Sequence, residues 1–241
     1  MTSMPFTLDG YAGIVTDLLN AGYSARGYGD ADPARTDLIL RHDVDMDLGR
    51  AVEMAEVEAK LGVRAVYFVL LRTEFYNVFS GRGRQLLRQI AASGAGVGLH
   101  FDASLYEDDA DILDRAAAKE ARILAEALGT SLEAVSYHRP AKSLIGGRTH
   151  LGGLISAYAP RFISEMGYCS DSRGGWHHGP PWSHPAVASR RALHLLTHPI
   201  WWAGRNDTPE ARLDHFVSER QLFLDDELQR NCVIYTPRHM R

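Results

Sequence analysis

Four short polar clusters each follow directly on an apolar run: His42-Asp43-Val44-Asp45, His100-Phe101-Asp102, His138-Arg139-Pro140 and His198-Pro199. In α/β folds reactive side chains gather where strands end at their carboxyl side. Four such coincidences point to one convergent site. Asp43 and Asp45 stand one residue apart, where a strand passes into a loop. Two carboxylates that close are both ionised only with a cation or a proton between them. A division of labour follows, in which one carboxylate binds a metal ion and the other takes a proton from water. Taken alone, the pair reads equally well as a cap for a helix beginning near Leu48, since Asp is a favoured N-cap.

The other clusters gain weight from this company. His100 closes the glycine-rich run GVGLH, and a lone histidine there is more often a hydrogen-bonded core residue than a ligand. Beside an aspartate pair it becomes a candidate ligand, because His and Asp are common zinc ligands. His138 adds a second imidazole. Arg139 can orient a carboxylate bidentately, although a plain ion pair is the simpler reading. His198 can protonate a leaving amine, since its unperturbed pKa lies near neutrality. Asp171 can hold the His198 tautomer, or it can merely cap a loop.

The elements that must position these residues alternate. Strand-like runs fall at 38–42, 64–70, 96–100, 134–138, about 162–169, 193–197 and 232–236. Helical periodicity occupies 7–21, 48–61, 83–93, 108–128 and 208–228. The alternation predicts an α/β fold of about seven mostly parallel strands, closed or broken as a distorted (β/α) barrel. The Gly-, Pro-, His- and Trp-rich segment from about 171 to 190 is too long for a mere connection and reads as a functional loop.

At 241 residues, 45% hydrophobic, the chain fits one catalytic domain spanning 1–241. A formal charge of -4, with no basic stripe, argues against a nucleic-acid partner. Cys169 and Cys232 are expected to be reduced thiols rather than a disulfide framework. No stretch approaches the roughly 20 apolar residues of a membrane span. The N-terminal residues show no basic, apolar leader pattern, so a cytoplasmic location is expected.

In this order the motifs resemble the polysaccharide deacetylases of carbohydrate esterase family 4, the NodB-homology group. The resemblance spans about residues 38–202, and each motif is short. It implies a distorted seven-stranded (β/α) barrel. It further implies Asp43 as catalytic base and Asp45 as metal ligand in RHDVD, and His100 as metal ligand in GVGLHFD. Arg139 beside Pro140 would steady the base. Asp171 would support His198 in LLTHP as catalytic acid, and Trp176 would form an aromatic substrate-binding wall. One position departs from the pattern. The family's second metal-binding histidine, four residues after the first, is here Ser104. His138 is the expected replacement ligand, with Asp102 as its rival. The implied activity is metal-dependent hydrolysis, with zinc, of an N-acetyl or N-formyl group on an amino sugar or its nucleotide- or lipid-linked precursor. A catalytically decayed sugar-binding protein and a hydrolase of a non-sugar amide are the competing readings.

Overall fold

The computed structural model describes residues 4–140, 142–144 and 147–240. Thr7 opens helix α1 (Leu8–Asn20) by accepting a hydrogen bond from the Gly10 N–H. A two-residue strand β1 (Ser24–Ala25) leads into β2 (Asp37–Val44), which is buried along its whole length. Asp47 then caps α2 (Leu48–Leu61), and Gly62, left-handed at φ 68°, ends it. β3 (Val66–Leu70), α3 (Gly81–Ala92), β4 (Gly96–Asp102), α4 (Ala110–Leu128) and β5 (Ala134–His138) continue the alternation. A hairpin of β6 (His150–Leu151) and β7 (Leu154–Ser156) follows, then α5 (Pro160–Ile163) and β8 (Gly167–Ser170). α6 (Pro185–Ala188), β9 (Leu193–Thr197) and α7 (Pro209–Asn231) complete the order.

The strands lie in the order β6-β7-β5-β4-β3-β2-β9-β8, with β1 beside the first residues of β2. All pairings are parallel except β6 with β7. The expected distorted barrel of mostly parallel strands is therefore present as a curled, open half-barrel. Seven parallel strands form the body, and β1 and β6 are short additions.

Successive side chains alternate across each strand. On β2, Leu38, Leu40 and Val44 face the helices and join the larger hydrophobic core with Tyr11, Met54 and Leu99. Ile39 faces the inside of the curl and packs with Tyr28, Val66, Phe68 and Phe162 in a second cluster. Gly98 makes room for that filling: a Cβ there would stand 2.5 Å from the Phe68 ring and 2.8 Å from the Ala134 carbonyl oxygen.

Two expectations are corrected. Residues 232–236 form no strand; α7 runs on to Asn231, and Val233 and Ile234 lie exposed. The strand expected over about 162–169 starts at Gly167, because Pro160 begins a helical turn. The loop from 171 to 190 carries short helical turns at Ser172–Gly174, Pro181–Ser183 and Pro185–Ala188. No described helix is long and apolar enough to cross a membrane.

Candidate active site

Parallel pairing brings the carboxyl ends of β2, β4, β5 and β9 to one rim, and each carries one of the four polar clusters. Asp45 leaves β2 with its carboxylate between two imidazoles. His100 Nε2 stands 3.1 Å, and His138 Nδ1 3.2 Å, from the same oxygen, Asp45 Oδ1. Asp45, His100 and His138 are the one group among the described residues whose His, Cys, Asp or Glu ligand atoms lie close enough to share a metal ion.

A contact at the other nitrogen orients the His100 ring. His100 Nδ1 is 2.7 Å from Ser136 Oγ, and that hydroxyl donates to Asp43 Oδ1 at 3.3 Å. With its one proton given to Asp43, Ser136 accepts from His100 Nδ1–H. In that tautomer the ring would turn an unprotonated Nε2 toward the Asp45 oxygen, as a metal ligand requires. The 3.1 Å between Nε2 and Asp45 Oδ1 leaves the two atoms able to share a cation, and a ring N–H held by a neighbouring oxygen is the usual way a metal-binding histidine is oriented. The donor set of one carboxylate and two imidazoles suits zinc.

Asp43, two residues before Asp45, is 3% exposed. Burial pushes its carboxyl pKa up, but the Arg41 guanidinium and the nearby imidazoles outweigh this and hold it below the usual range. Arg41 Nε reaches Asp43 Oδ1 at 2.9 Å and an Arg41 terminal nitrogen reaches Oδ2 at 2.7 Å. Arg139, expected at this carboxylate, is elsewhere. Its guanidinium binds Asp102, its side chain is 63% exposed, and its backbone has φ 49°. Asp102 meanwhile accepts from the Ser104 N–H at 3.1 Å and the Ser104 hydroxyl at 2.7 Å. Both Asp102 oxygens are thus engaged outside the cluster. The rival third ligand is turned aside, and His138 lies at Asp45 instead.

Across the rim, His198 faces the same carboxylate, with Nε2 4.0 Å from Asp45 Oδ2. Its Nδ1 is 2.6 Å from Asp171 Oδ1, while Asp171 Oδ2 accepts from the His198 backbone N–H at 3.0 Å and from Trp202 Nε1–H at 2.7 Å. Burial lowers the His198 pKa, but the charge and hydrogen bond of Asp171, with Asp45 beyond, lift it to about 9. Trp176 is half-buried behind Trp202, 5.9 Å away centroid to centroid, and also packs on Phe6. Its indole N–H is buried without a hydrogen-bond partner among the described residues.

Below the rim a second buried network braces β2. Glu58 on α2 accepts from Tyr11 at 2.5 Å and Tyr67 at 2.7 Å, and lies 2.6 Å from His42 Nε2. His42 Nδ1 meets the Thr197 hydroxyl at 2.7 Å, joining β2 to β9 just before His198. Arg41, Ser136, Trp202 and this network were not singled out from the sequence. Two of them carried a signal: Arg41 and Ser136 each lie two residues before a candidate, Asp43 and His138, and so share its strand face.

No family profile matches the sequence, and no characterised sequence matches it either. Solved structures of similar fold are family 4 carbohydrate esterases and polysaccharide deacetylases. One is the Streptococcus pyogenes deacetylase PplD in complex with acetate, at 14% identity and TM-score 0.46, covering 86% of this chain and 85% of that one. Another is a family 4 carbohydrate esterase from Bacillus anthracis, at 17% identity and TM-score 0.40, with 86% and 85% covered. A third is a pseudoenzyme of the same family from Bacillus anthracis, at 13% identity and TM-score 0.42. That match covers 78% of this chain, which spans only 61% of the pseudoenzyme. Likeness at this level says nothing about activity.

Proposed function

We propose that the protein is a metal-dependent amide hydrolase that removes an acetyl or formyl group from an amino sugar or its nucleotide- or lipid-linked form. The observation that carries the reading is the convergence of His100 Nε2 and His138 Nδ1 on one oxygen of Asp45, with an ionised carboxylate on one side and a carboxylate-backed imidazole on the other.

Asp45, His100 and His138 would hold a divalent ion, zinc by the donor chemistry. Bound there, the ion supplies Lewis-acid polarisation of a carbonyl and lowers the pKa of water. Asp43 stays ionised beside it and takes the proton of the attacking water. Ser136 keeps His100 turned toward the cluster. His198, protonated at neutral pH, gives its proton to the departing amine, and Asp171 fixes the ring through Nδ1. Trp202 holds Asp171 in turn.

A screen of N-acyl amino sugars and their nucleotide conjugates for released amine, with metal content measured on the same protein, tests the reading. Amine release that depends on stoichiometric metal is expected. Activity in fully metal-free protein overturns the mechanism. Sugar binding with no turnover would favour the decayed sugar-binding protein.

A further inference from the structure

Two arginines lie near the site, and they differ in almost every physical respect. Arg41 is wholly buried. Arg41 and Asp43 share the inner face of β2, two residues apart, so their side chains stand one above the other in the curl. Both bonds of the guanidinium fork go to the two oxygens of Asp43. This bidentate arrangement fixes the carboxylate in the plane of the guanidinium as well as in distance. The fork itself is locked, since Phe68 lies over it at 5.5 Å and Tyr158 at 4.8 Å. A terminal nitrogen also reaches the Tyr158 hydroxyl at 3.4 Å, and the other has no hydrogen-bond partner among the described residues. Asp43 is therefore the one carboxylate this buried charge serves.

Arg139 is exposed and binds a carboxylate that is itself tied to Ser104. Ser104, Asp102 and Arg139 form a closed unit at the end of β4. Its effect is to occupy both oxygens of Asp102, the rival candidate for the third ligand.

We infer that Arg41 takes the role expected of Arg139: Arg41 is the positioning residue for Asp43, and Arg139 holds Asp102 away from the ligand cluster. The inference rests on the proposed function for what Asp43 does, but not for where Asp43 is held.

The test uses zinc-loaded full-length protein, with crystal structures and kinetics for each variant. In Arg41→Met the Asp43 carboxylate leaves its present orientation. Turnover number falls about 10²-fold, the scale of a 1 Å misplacement, while KM and zinc content hold. Arg41→Lys keeps the charge, loses the fork and recovers part of that loss. In an Asp43→Asn background Arg41→Met adds no further loss, because a positioning residue acts only through the group it positions. In Arg139→Ala the Asp43 carboxylate stays in place while Asp102 turns free of Ser104. Displacement of Asp43 in Arg139→Ala, or full additivity of Arg41→Met with Asp43→Asn, overturns the inference. If Arg41→Met does not fold, the lysine variant carries both the structural and the kinetic readings. The carboxylate positions are read by diffraction. A wild-type protein without turnover would thus sink the proposed function and leave the assignment of the arginines to be judged on its own.

Discussion

β9 carries His194, and His198 follows its last residue four positions on, and the fold gives the two histidines opposite fates. His194, at the floor of the curl, is fully buried between the Tyr28 hydroxyl at 2.9 Å and the Phe162 carbonyl at 3.2 Å. Burial and then the Arg41 charge push its pKa down to about 3, so it is neutral. His198, at the rim, meets Asp171 and is lifted to about 9. Residue type and stretch of chain are the same. What differs is the partner, a neutral dipole under a buried cation in one case and a buried carboxylate in the other. The floor of the barrel is built for cohesion, and the rim stores the charges that can do chemistry.

The sharpest way to break this contrast is to remove charge from the rim. Asp45→Ala is expected to lose the metal and to drop turnover to background, with the thermal transition little changed. Elemental analysis and a melt of the same sample check it, and retained zinc would mean another residue supplies the carboxylate. Asp43→Asn comes next. It should keep the metal and lose about 10²–10⁴-fold in turnover number, the usual contribution of a positioned general base. Wild-type activity in that variant would reduce Asp43 to a structural group.

His198→Ala should cost about 10²-fold or more in turnover with metal content intact, and should flatten the alkaline limb of the pH–rate profile. Asp171→Asn sharpens the comparison further. With its carboxylate partner gone, His198 should titrate nearer the ordinary value of 6.5, and the alkaline limb should move down from near 9. The sign for stability follows. A raised histidine pKa stabilises the fold fully below the unfolded value, and that contribution is lost as pH rises through about 9. The melting temperature of Asp171→Asn should therefore depend less on pH between about 6.5 and 9 than that of the wild type. An unmoved limb would show that His198 is not the acid. The smallest effect on activity belongs to the floor. His194→Gln should leave metal content and turnover at the wild-type level and cost about 1–3 kcal/mol of stability through its disturbed hydrogen bonds. A catalytic defect there would erase the distinction between floor and rim.

Much of this arrangement was legible in one dimension. The runs LILRH, GVGLH, AVSYH and LHLLT each become a strand ending at the rim, because short β-branched and aromatic runs bounded by helices pair in parallel. That placed Asp43, Asp45, His100, His138 and His198 together before any contact was known. The run CVIYT has the same composition but forms no strand, since α7 runs on to Asn231 and the backbone then closes a turn, with the Tyr235 N–H donating to the Cys232 carbonyl. Composition proposes a strand; only a neighbour's open edge can make one.

By itself the sequence determined which residue types reach the rim, since a strand period and a strand end are local properties of the chain. The tertiary structure alone decided which of them touch. Arg139 is one residue from His138 and was the natural partner for the base, yet its backbone at φ 49° leaves its side chain on Asp102. Arg41 lies two residues from Asp43 and takes that place because the curl of the sheet buries both on one face and excludes water from their bond. Partnership between charges depends on distance and dielectric, and neither exists until the sheet has closed around them.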